Sequence, residues 1–465
     1  MRSSILRGLA RLLRCHHLLD EVSTPFTEPE IKKLQRNKIT SLLSYVNKEV
    51  PYFQDHFSSF LNSTAEVSDD AFFEAYTKLP TFSKQDYVLA GKKIHSEKIT
   101  SSTKELQFEK AITSGFWNLR QGNVHLNMAT GGSSKMPLSV RMDKEHLLRL
   151  FFSFFRCWRH MDWQLGDKTL IFYPAGTYNI DDLQVFNNFS WLFGFKLLLF
   201  NVIDEKTTRI LVEEMTSFQP KLLMTFPSPL NLVSQLMKRH QIKLSYVPPL
   251  INVSGETFLD CQRENINSVF TDTTVSDSYG SVEFGEIAHE TEEGFEIFSD
   301  IAYVETVAHN SGQEELVVTM LGLKEYPFIR YRIGDIAQVT TIKEKQFLTA
   351  IEGKSENCLR RKDNAFLYPS ALNQLVNELN QQFNGTIVEV KLIKRGENDI
   401  ELKFITFDDE PDDTLAEVAK DKLQKLVGTV DCSVKFVLSM EHDYRRKYRV
   451  IEEEGAEEYV GGVLS

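Results

Sequence analysis

No stretch of this chain approaches the roughly 18 consecutive apolar residues that a membrane-spanning helix needs, so the sequence offers no spanning segment. Cysteine is sparse. The five residues, Cys15, Cys157, Cys261, Cys358 and Cys432, are scattered without a close pair. That spacing excludes a disulfide framework or a zinc ribbon, and a reducing, cytoplasmic setting is expected. Only His16 and His17 form a close histidine pair, with no cysteine ligand nearby, so no structural metal site is expected. Positive charge is in deficit: Lys+Arg 53 against Asp+Glu 65 gives −12. A nucleic-acid binder would normally carry a basic surface, and none is expected here. A metal-bound nucleotide remains compatible, because its charge is neutralised locally. There is no Gly/Ser-rich linker, internal repeat or low-complexity tract.

What is present is the composition of a folded protein, 42% hydrophobic and 25% charged over 465 residues. That length exceeds one ordinary core, so two or more domains are expected. The N-terminal stretch is arginine-rich. On a helix Leu6, Leu9 and Leu13 share one face and Arg7, Arg11 and Arg14 another, which could dock on an anionic membrane surface. Against this, Gly8 weakens the helix, and a helix packed on its own domain is the favoured reading of the same residues.

Residues 28–61 carry apolar positions at three- and four-residue spacing and predict a helix. Pro80 followed by Ser83-Lys84-Gln85-Asp86 predicts a turn and a new helix start. From about 145 to 280, strands and helices alternate. Thr169–Tyr173, Phe195–Val202, Lys221–Phe226 and Leu250–Val253 read as strands, and Ile210–Phe218 and Pro229–His240 as helices. Such alternation implies a layered α/β domain with a largely parallel sheet. Residues 300–352 turn β-rich, with runs such as Glu315–Leu321 and Gln346–Ile351 predicting an antiparallel meander. Beyond Gly353 a smaller α+β set follows: helices Ser370–Phe383 and Thr414–Val427, and strands Ile387–Lys394, Ile400–Phe407 and Ser433–Leu438. The expected fold is therefore α/β, with a large N-terminal layered domain including a β-rich subdomain (1–353) and a small α+β C-terminal domain (354–465). A short hinge is expected between them, near 353–362.

Four segments carry candidate chemistry. Thr130-Gly131-Gly132-Ser133-Ser134-Lys135-Met136-Pro137-Leu138 packs glycines, hydroxyls and one lysine into a loop. Such a loop can turn several backbone N–H groups toward one anion, usually phosphate. Ser276–Glu283 ends a predicted strand; Tyr279 could cover a purine face, and Glu283 could hold a magnesium ion bridging phosphates. A plain turn with a surface glutamate is the alternative. Phe328–Asp335 places Asp335 after a glycine, where it could accept from both ribose hydroxyls or simply end a strand. Asp443–Arg449 is basic and, read alone, a solvated loop.

In this order the segments resemble the adenylate-forming superfamily of acyl- and aminoacyl-activating enzymes, and more closely its phenylacetate–CoA ligase and CapK-like branch. The superfamily phosphate loop T-S/G-G-S/T-T-G-x-P-L corresponds to Thr130–Leu138. Its Y-G-x-T/S-E corresponds to Tyr279–Glu283, its Y-R-T-G-D to Tyr331–Asp335, and its G-R-x-D-D hinge to Gly353–Asn357. Val50-Pro51-Tyr52-Phe53 and Leu79-Pro80-Thr81-Phe82-Ser83-Lys84 are similar to N-terminal phrases of that branch. The likeness covers nearly the whole chain. It departs at Lys135, where glycine is usual, and at Met136, where the usual lysine is missing. It departs also at Val282 and Ile333 in place of hydroxyl residues, at Lys354 in place of arginine, and at Arg446 in place of the glycine before the C-terminal lysine.

The resemblance implies ATP-dependent conversion of a carboxylic acid to an acyl-adenylate, then transfer to coenzyme A or another thiol or amine acceptor, in capsule or exopolysaccharide biosynthesis. It implies Glu283 on Mg2+, Thr130–Lys135 on the β- and γ-phosphates, and Asp335 on the ribose, with Lys354 beside the nucleotide. Tyr279 and Gly280 would sit against adenine, with Gly255 and Glu256 along its edge. Lys447 would bridge the carboxylate and the α-phosphate, and a rotation about Glu356 or Asn357 would follow between adenylation and thioester formation. An acyl-protein synthetase and a catalytically lapsed scaffold of a polysaccharide assembly complex stay open as alternatives. So does a homodimer. The aromatic cluster Phe151, Phe152, Phe154, Phe155, Trp158 and Trp163 could line an acyl pocket, but helical spacing favours core.

Overall fold

The computed structural model describes residues 28–101, 104–106, 124–129, 138–175, 194–355, 358–361, 365–396, 399–407, 413–428, 431–440 and 448–454. The arginine-rich N-terminus, Thr130–Pro137, Glu356, Asn357, Arg446 and Lys447 lie outside them. Among the described residues no helix is long and apolar enough to cross a membrane.

The N-terminal region is helical: α1 (Glu28–Glu49), α2 (Ser58–Ser63) and α3 (Asp69–Tyr76). The single helix expected over 28–61 is broken, because Pro51 has no N–H to continue it and forces Val50 extended (φ −113°, ψ 108°). Residues Pro51–Phe53 form a 3₁₀ turn instead. A short strand, β1 (Phe82–Ser83), leads into α4 (Lys84–Ala90) through the expected start signal, a capping box between Ser83 and Asp86. After α5 (Glu97–Thr100) comes a small sheet of β2 (Lys104–Leu106), β3 (Val124–Ala129) and β4 (Ser139–Asp143). Asp143 caps α6 (Lys144–His160) by accepting from the His146 amide at 2.9 Å.

The central layer alternates as expected: β5 (Thr169–Pro174), β6 (Phe195–Phe200), α7 (Glu205–Phe218), β7 (Leu222–Thr225), α8 (Pro227–Arg239), β8 (Leu250–Ser254), α9 (Asp260–Val269) and β9 (Thr274–Ser281). Neighbouring strands run parallel in the order β6-β5-β7-β8-β9. Strands β7 and β8 are buried at every position, as a parallel sheet covered on both faces requires. Helix α8 starts at Pro227, two residues before the expected start, because proline fits the first helical turn, where an N–H has no partner.

The β-rich part is not a separate sheet. Strands β10 (Gly285–Thr291), β11 (Gly294–Ile297), β12 (Ala302–Ala308), β13 (Glu314–Met320), β14 (Tyr331–Ile342) and β15 (Lys345–Lys354) extend the same sheet, because β15 pairs with β11 and β10 with β9. Strand β1 joins from the N-terminus, Phe82 pairing with Tyr331 and Ser83 with Arg332. Trp158 and Trp163 pack with Cys157, Leu222, Met224, Leu250 and Phe298, so these two aromatics are core.

A second, smaller unit follows: the pair β16 (Leu359–Arg360) and β17 (Phe366–Leu367), helix α10 (Pro369–Gln382), β18 (Ile387–Lys394), β19 (Asp399–Thr406), α11 (Asp413–Val427), β20 (Asp431–Phe436) and β21 (Ile451–Glu453). Its four-stranded sheet runs β20-β19-β18-β21. Its apolar core takes in Leu259 and Cys261 from the large unit, which seats the two against each other.

Candidate active site

Parallel α/β sheets bind ligands beyond the carboxyl ends of their strands, at the point where strand order reverses. Here the reversal lies between β5 and β7. The residues at those carboxyl ends are Tyr173, Phe226, Ser254-Gly255-Glu256 and Ser278-Tyr279-Gly280. Across the reversal, Tyr173 and Phe226 stack flat, with ring centroids 4.6 Å apart and planes 4° from parallel. Sequence reasoning missed this pair. Tyr173 is the penultimate residue of β5 and Phe226 directly follows β7, positions that periodicity does not distinguish from core.

Two of the segments expected to hold a nucleotide meet beside this edge. The Tyr279 hydroxyl donates to Asp335 Oδ2 at 2.5 Å, and Lys354 Nζ lies 3.1 Å from Asp335 Oδ1. Lys354 also donates to the Ile333 carbonyl at 2.7 Å. Asp335 and Lys354 face each other in register on β14 and β15. The preceding Gly334 takes φ +85°, a conformation glycine adopts cheaply. Burial, followed by the charge of Asp335, drives the Tyr279 phenol well above its ordinary range, so it stays protonated and donates. Ile333, which stands where a hydroxyl residue is usual, is buried in the core and serves through its carbonyl alone.

The β9–β10 turn carries Glu283, and α6 fixes that turn. His146, Leu150 and Ser153 lie at helical spacing on one face. His146 Nε2 is 2.7 Å from the Glu283 carbonyl, and the Glu286 amide donates to Ser153 Oγ at 2.8 Å. Burial depresses the His146 imidazole to about 4, so the ring is neutral and Nε2–H donates. A Cβ on Gly280 would sit 2.4 Å from the Gly285 carbonyl oxygen, so only glycine allows the two strands this close. The Glu283 side chain is 8% exposed and has no ion-pair or hydrogen-bond partner among the described residues.

No group of three or more His, Cys, Asp or Glu side chains that could hold a metal exists among the described residues. One buried carboxylate without a cation suits magnesium, which is usually held by one or two carboxylates, with phosphate oxygens and water completing the octahedron. Glu283 fits that part.

Glu256, expected along the adenine edge, follows β8 at the carboxyl end of the sheet and is held by both of its oxygens. Its Oε2 accepts from the Ser228 amide at 3.1 Å and hydroxyl at 2.7 Å, capping α8. Its Oε1 accepts from the Tyr448 amide at 2.9 Å. Gly255, with φ +85°, makes the turn that brings it there. The candidate phosphate loop joins β3 to β4, which pair antiparallel up to Ala129 and Ser139. Thr130, Gly131, Gly132, Ser133, Ser134, Lys135 and Lys447 lie outside the described residues.

No protein-family model matches this chain, and no curated protein matches it. Solved structures do. Two crystal structures of 2-hydroxyisobutyryl-CoA ligase in the postadenylation state, with R3-HIB-AMP or 2-HIB-AMP, match with TM-scores of 0.67 and 0.66 at 14% identity, covering 91% of this chain and 90% of that one. The same ligase with 2-HIB-AMP and CoA in the thioesterification state gives 0.53 over the same coverage. The chain thus has the adenylate-forming ligase fold, a large α/β unit followed by a smaller one.

Proposed function

We propose that this protein is an ATP-dependent ligase that converts a carboxylic acid to its acyl-adenylate and passes the acyl group to coenzyme A. The observation that carries this reading is the Tyr279–Asp335–Lys354 network beside the carboxyl ends of a parallel sheet, on a fold shared with acyl-CoA ligases. Asp335 is held with both oxygens oriented, the arrangement a ribose diol needs. Tyr279 offers a ring to adenine, and Gly280 keeps the strands close enough for that ring to reach the edge.

Adenylation is an in-line displacement at the α-phosphorus, in which the protein supplies positioning and charge. Magnesium would neutralise phosphate charge at Glu283. Thr130–Lys135 would supply N–H groups and one cation to the β- and γ-phosphates, and Lys447 would bring a second cation to the meeting point of carboxylate and α-phosphate, where it helps most as the two anions approach. The flat Tyr173–Phe226 pair at the strand reversal suits the acid's apolar part. We place the domain boundary at 353–354 and the hinge at Glu356 or Asn357.

Membership of the phenylacetate–CoA ligase and CapK-like branch, with a role in capsule or exopolysaccharide synthesis, is the finer reading. It is supported by the phrases at Val50–Phe53 and Leu79–Lys84. The second of these pairs through Phe82 with Tyr331, four residues before Asp335.

The test is ATP–pyrophosphate exchange with magnesium and pooled carboxylic acids. Acid-dependent exchange that disappears in Lys447→Ala is expected. Exchange independent of any acid, or intact in that variant, would overturn the reading.

A further inference from the structure

The segment Glu256–Cys261 forms the seam between the two units. Leu259 and Cys261 are buried in the small unit's core. Asp260 Oδ2 accepts from Asn373 at 2.8 Å and from Asn377 at 2.6 Å, both on α10. Nearby, Asn231 donates to the Val388 carbonyl at 3.2 Å and Gln235 to Glu389 at 3.0 Å. Glu256 differs from the other polar members in where its partner stands. Tyr448, whose amide it holds, is the residue after Lys447. The Tyr448 hydroxyl in turn donates to the Val390 carbonyl at 3.1 Å, so this residue is fixed at its amide by the large unit and at its ring by the small one.

We propose that Glu256 is a positioning residue: a latch that holds the chain next to Lys447 against the nucleotide-side edge during adenylation and lets go for acyl transfer. The inference rests on the ligase reading above. Three features support it. Ser228 and the α8 N-terminus fix Oε2, so Oε1 is aimed before the small unit arrives. An amide-to-carboxylate hydrogen bond is charge-assisted, like the seam contacts to Asp260 and Glu389, and so stronger than a neutral one such as Asn231 to the Val388 carbonyl. Glu256 is partly exposed, so water can replace Tyr448 when the units part. The chain also superposes better on the postadenylation form of 2-hydroxyisobutyryl-CoA ligase than on its thioesterification form, 0.66 against 0.53, with 2-HIB-AMP in both. The latch contact belongs to the better-matched arrangement.

Two readouts on the full-length protein test this. Hydrogen exchange without any ligand follows the peptide containing Tyr448. In Glu256→Ala its exchange should quicken at least tenfold, with Glu256→Gln, which has one acceptor oxygen for donors on both sides, restoring only part of the protection, and Ser228→Ala, which keeps the Ser228 amide on Oε2, costing clearly less than Glu256→Ala. In the exchange assay with pooled acids, Glu256→Ala should lower the turnover of ATP–pyrophosphate exchange at least tenfold with KM for ATP within threefold. Thioester formation from a supplied acyl-adenylate and CoA should change less than twofold. Unaltered Tyr448 protection in Glu256→Ala overturns the latch. So does equal loss in Ser228→Ala, or a parallel fall of both half-reactions. Because the hydrogen-exchange arm needs no substrate, it judges the contact even if the ligase reading fails.

Discussion

The Tyr279 hydroxyl reaches Asp335 across 56 residues of sequence and donates to it at 2.5 Å. Asp335 is only 7% exposed, so its carboxylate depends on this donor and on Lys354 for its orientation. Tyr279→Phe removes the donor while leaving the ring. Hydrogen bonds to charged groups contribute about 1.5–3 kcal/mol, so the variant should lose stability of that order in urea unfolding. ATP binding by calorimetry should weaken several-fold, because Asp335 is then held by Lys354 alone.

Lys354 stands where arginine is usual. One ammonium serves both Asp335 and the Ile333 carbonyl here, a point-charge arrangement that a planar guanidinium does not reproduce. Lys354→Arg should therefore weaken ATP binding rather than restore a better contact. Lys354→Ala should weaken it further and lower the thermal midpoint.

Gly280 and Gly255 answer steric and backbone requirements. Gly280→Ala would drive a Cβ to 2.4 Å from the Gly285 oxygen and 2.6 Å from Glu286 Cα, both backbone. A loss of about 1–3 kcal/mol is expected from such overpacking. Gly255→Ala forces an L-residue to φ +85° and should cost about 1–2 kcal/mol. Denaturant unfolding checks both.

Acid lability should trace to His146. Its folded value of about 4, set first by burial, lies below the unfolded value of about 6.5. A depressed imidazole contributes stability that is complete above pH 6.5 and lost as the pH falls toward 4. At about 1.4 kcal/mol per pH unit, roughly 3 kcal/mol disappears across that window. His146→Gln, which keeps a donor for the Glu283 carbonyl without titrating, should make the fall of the unfolding midpoint between pH 6.5 and 4 shallower. His289, depressed to about 3 by burial and by His160 stacked 3.6 Å away, adds a second loss in the same range.

Much of the architecture was legible in the chain because its signals are local. The alternation of apolar strands with amphipathic helices over 145–280, and the Ser83–Asp86 start signal, depend on nearest neighbours, and both appear as expected. Tyr279, Asp335 and Lys354 were singled out separately, and the sheet brings them into contact. What the sequence could not convey was which strand neighbours which. The β-rich part joins the parallel sheet through β11–β15 pairing between distant segments, a contact periodicity does not encode. For the same reason the sequence did not convey that Glu256 meets Ser228 and Tyr448, 28 and 192 residues away. The Tyr173–Phe226 stack likewise exists only once β5 and β7 are adjacent.

The most direct measurement follows an oxygen atom. The acid singled out by the exchange pool is supplied with both carboxylate oxygens labelled with 18O, together with ATP, magnesium and coenzyme A, and the nucleotide product is weighed. Attack of the carboxylate on the α-phosphorus leaves one labelled oxygen on the phosphate when the acyl group departs. The account predicts AMP carrying one 18O, in an amount equal to the thioester formed, and its loss in Lys447→Ala. Thioester accompanied by unlabelled AMP, or by ADP, would contradict an acyl-adenylate and with it the central claim.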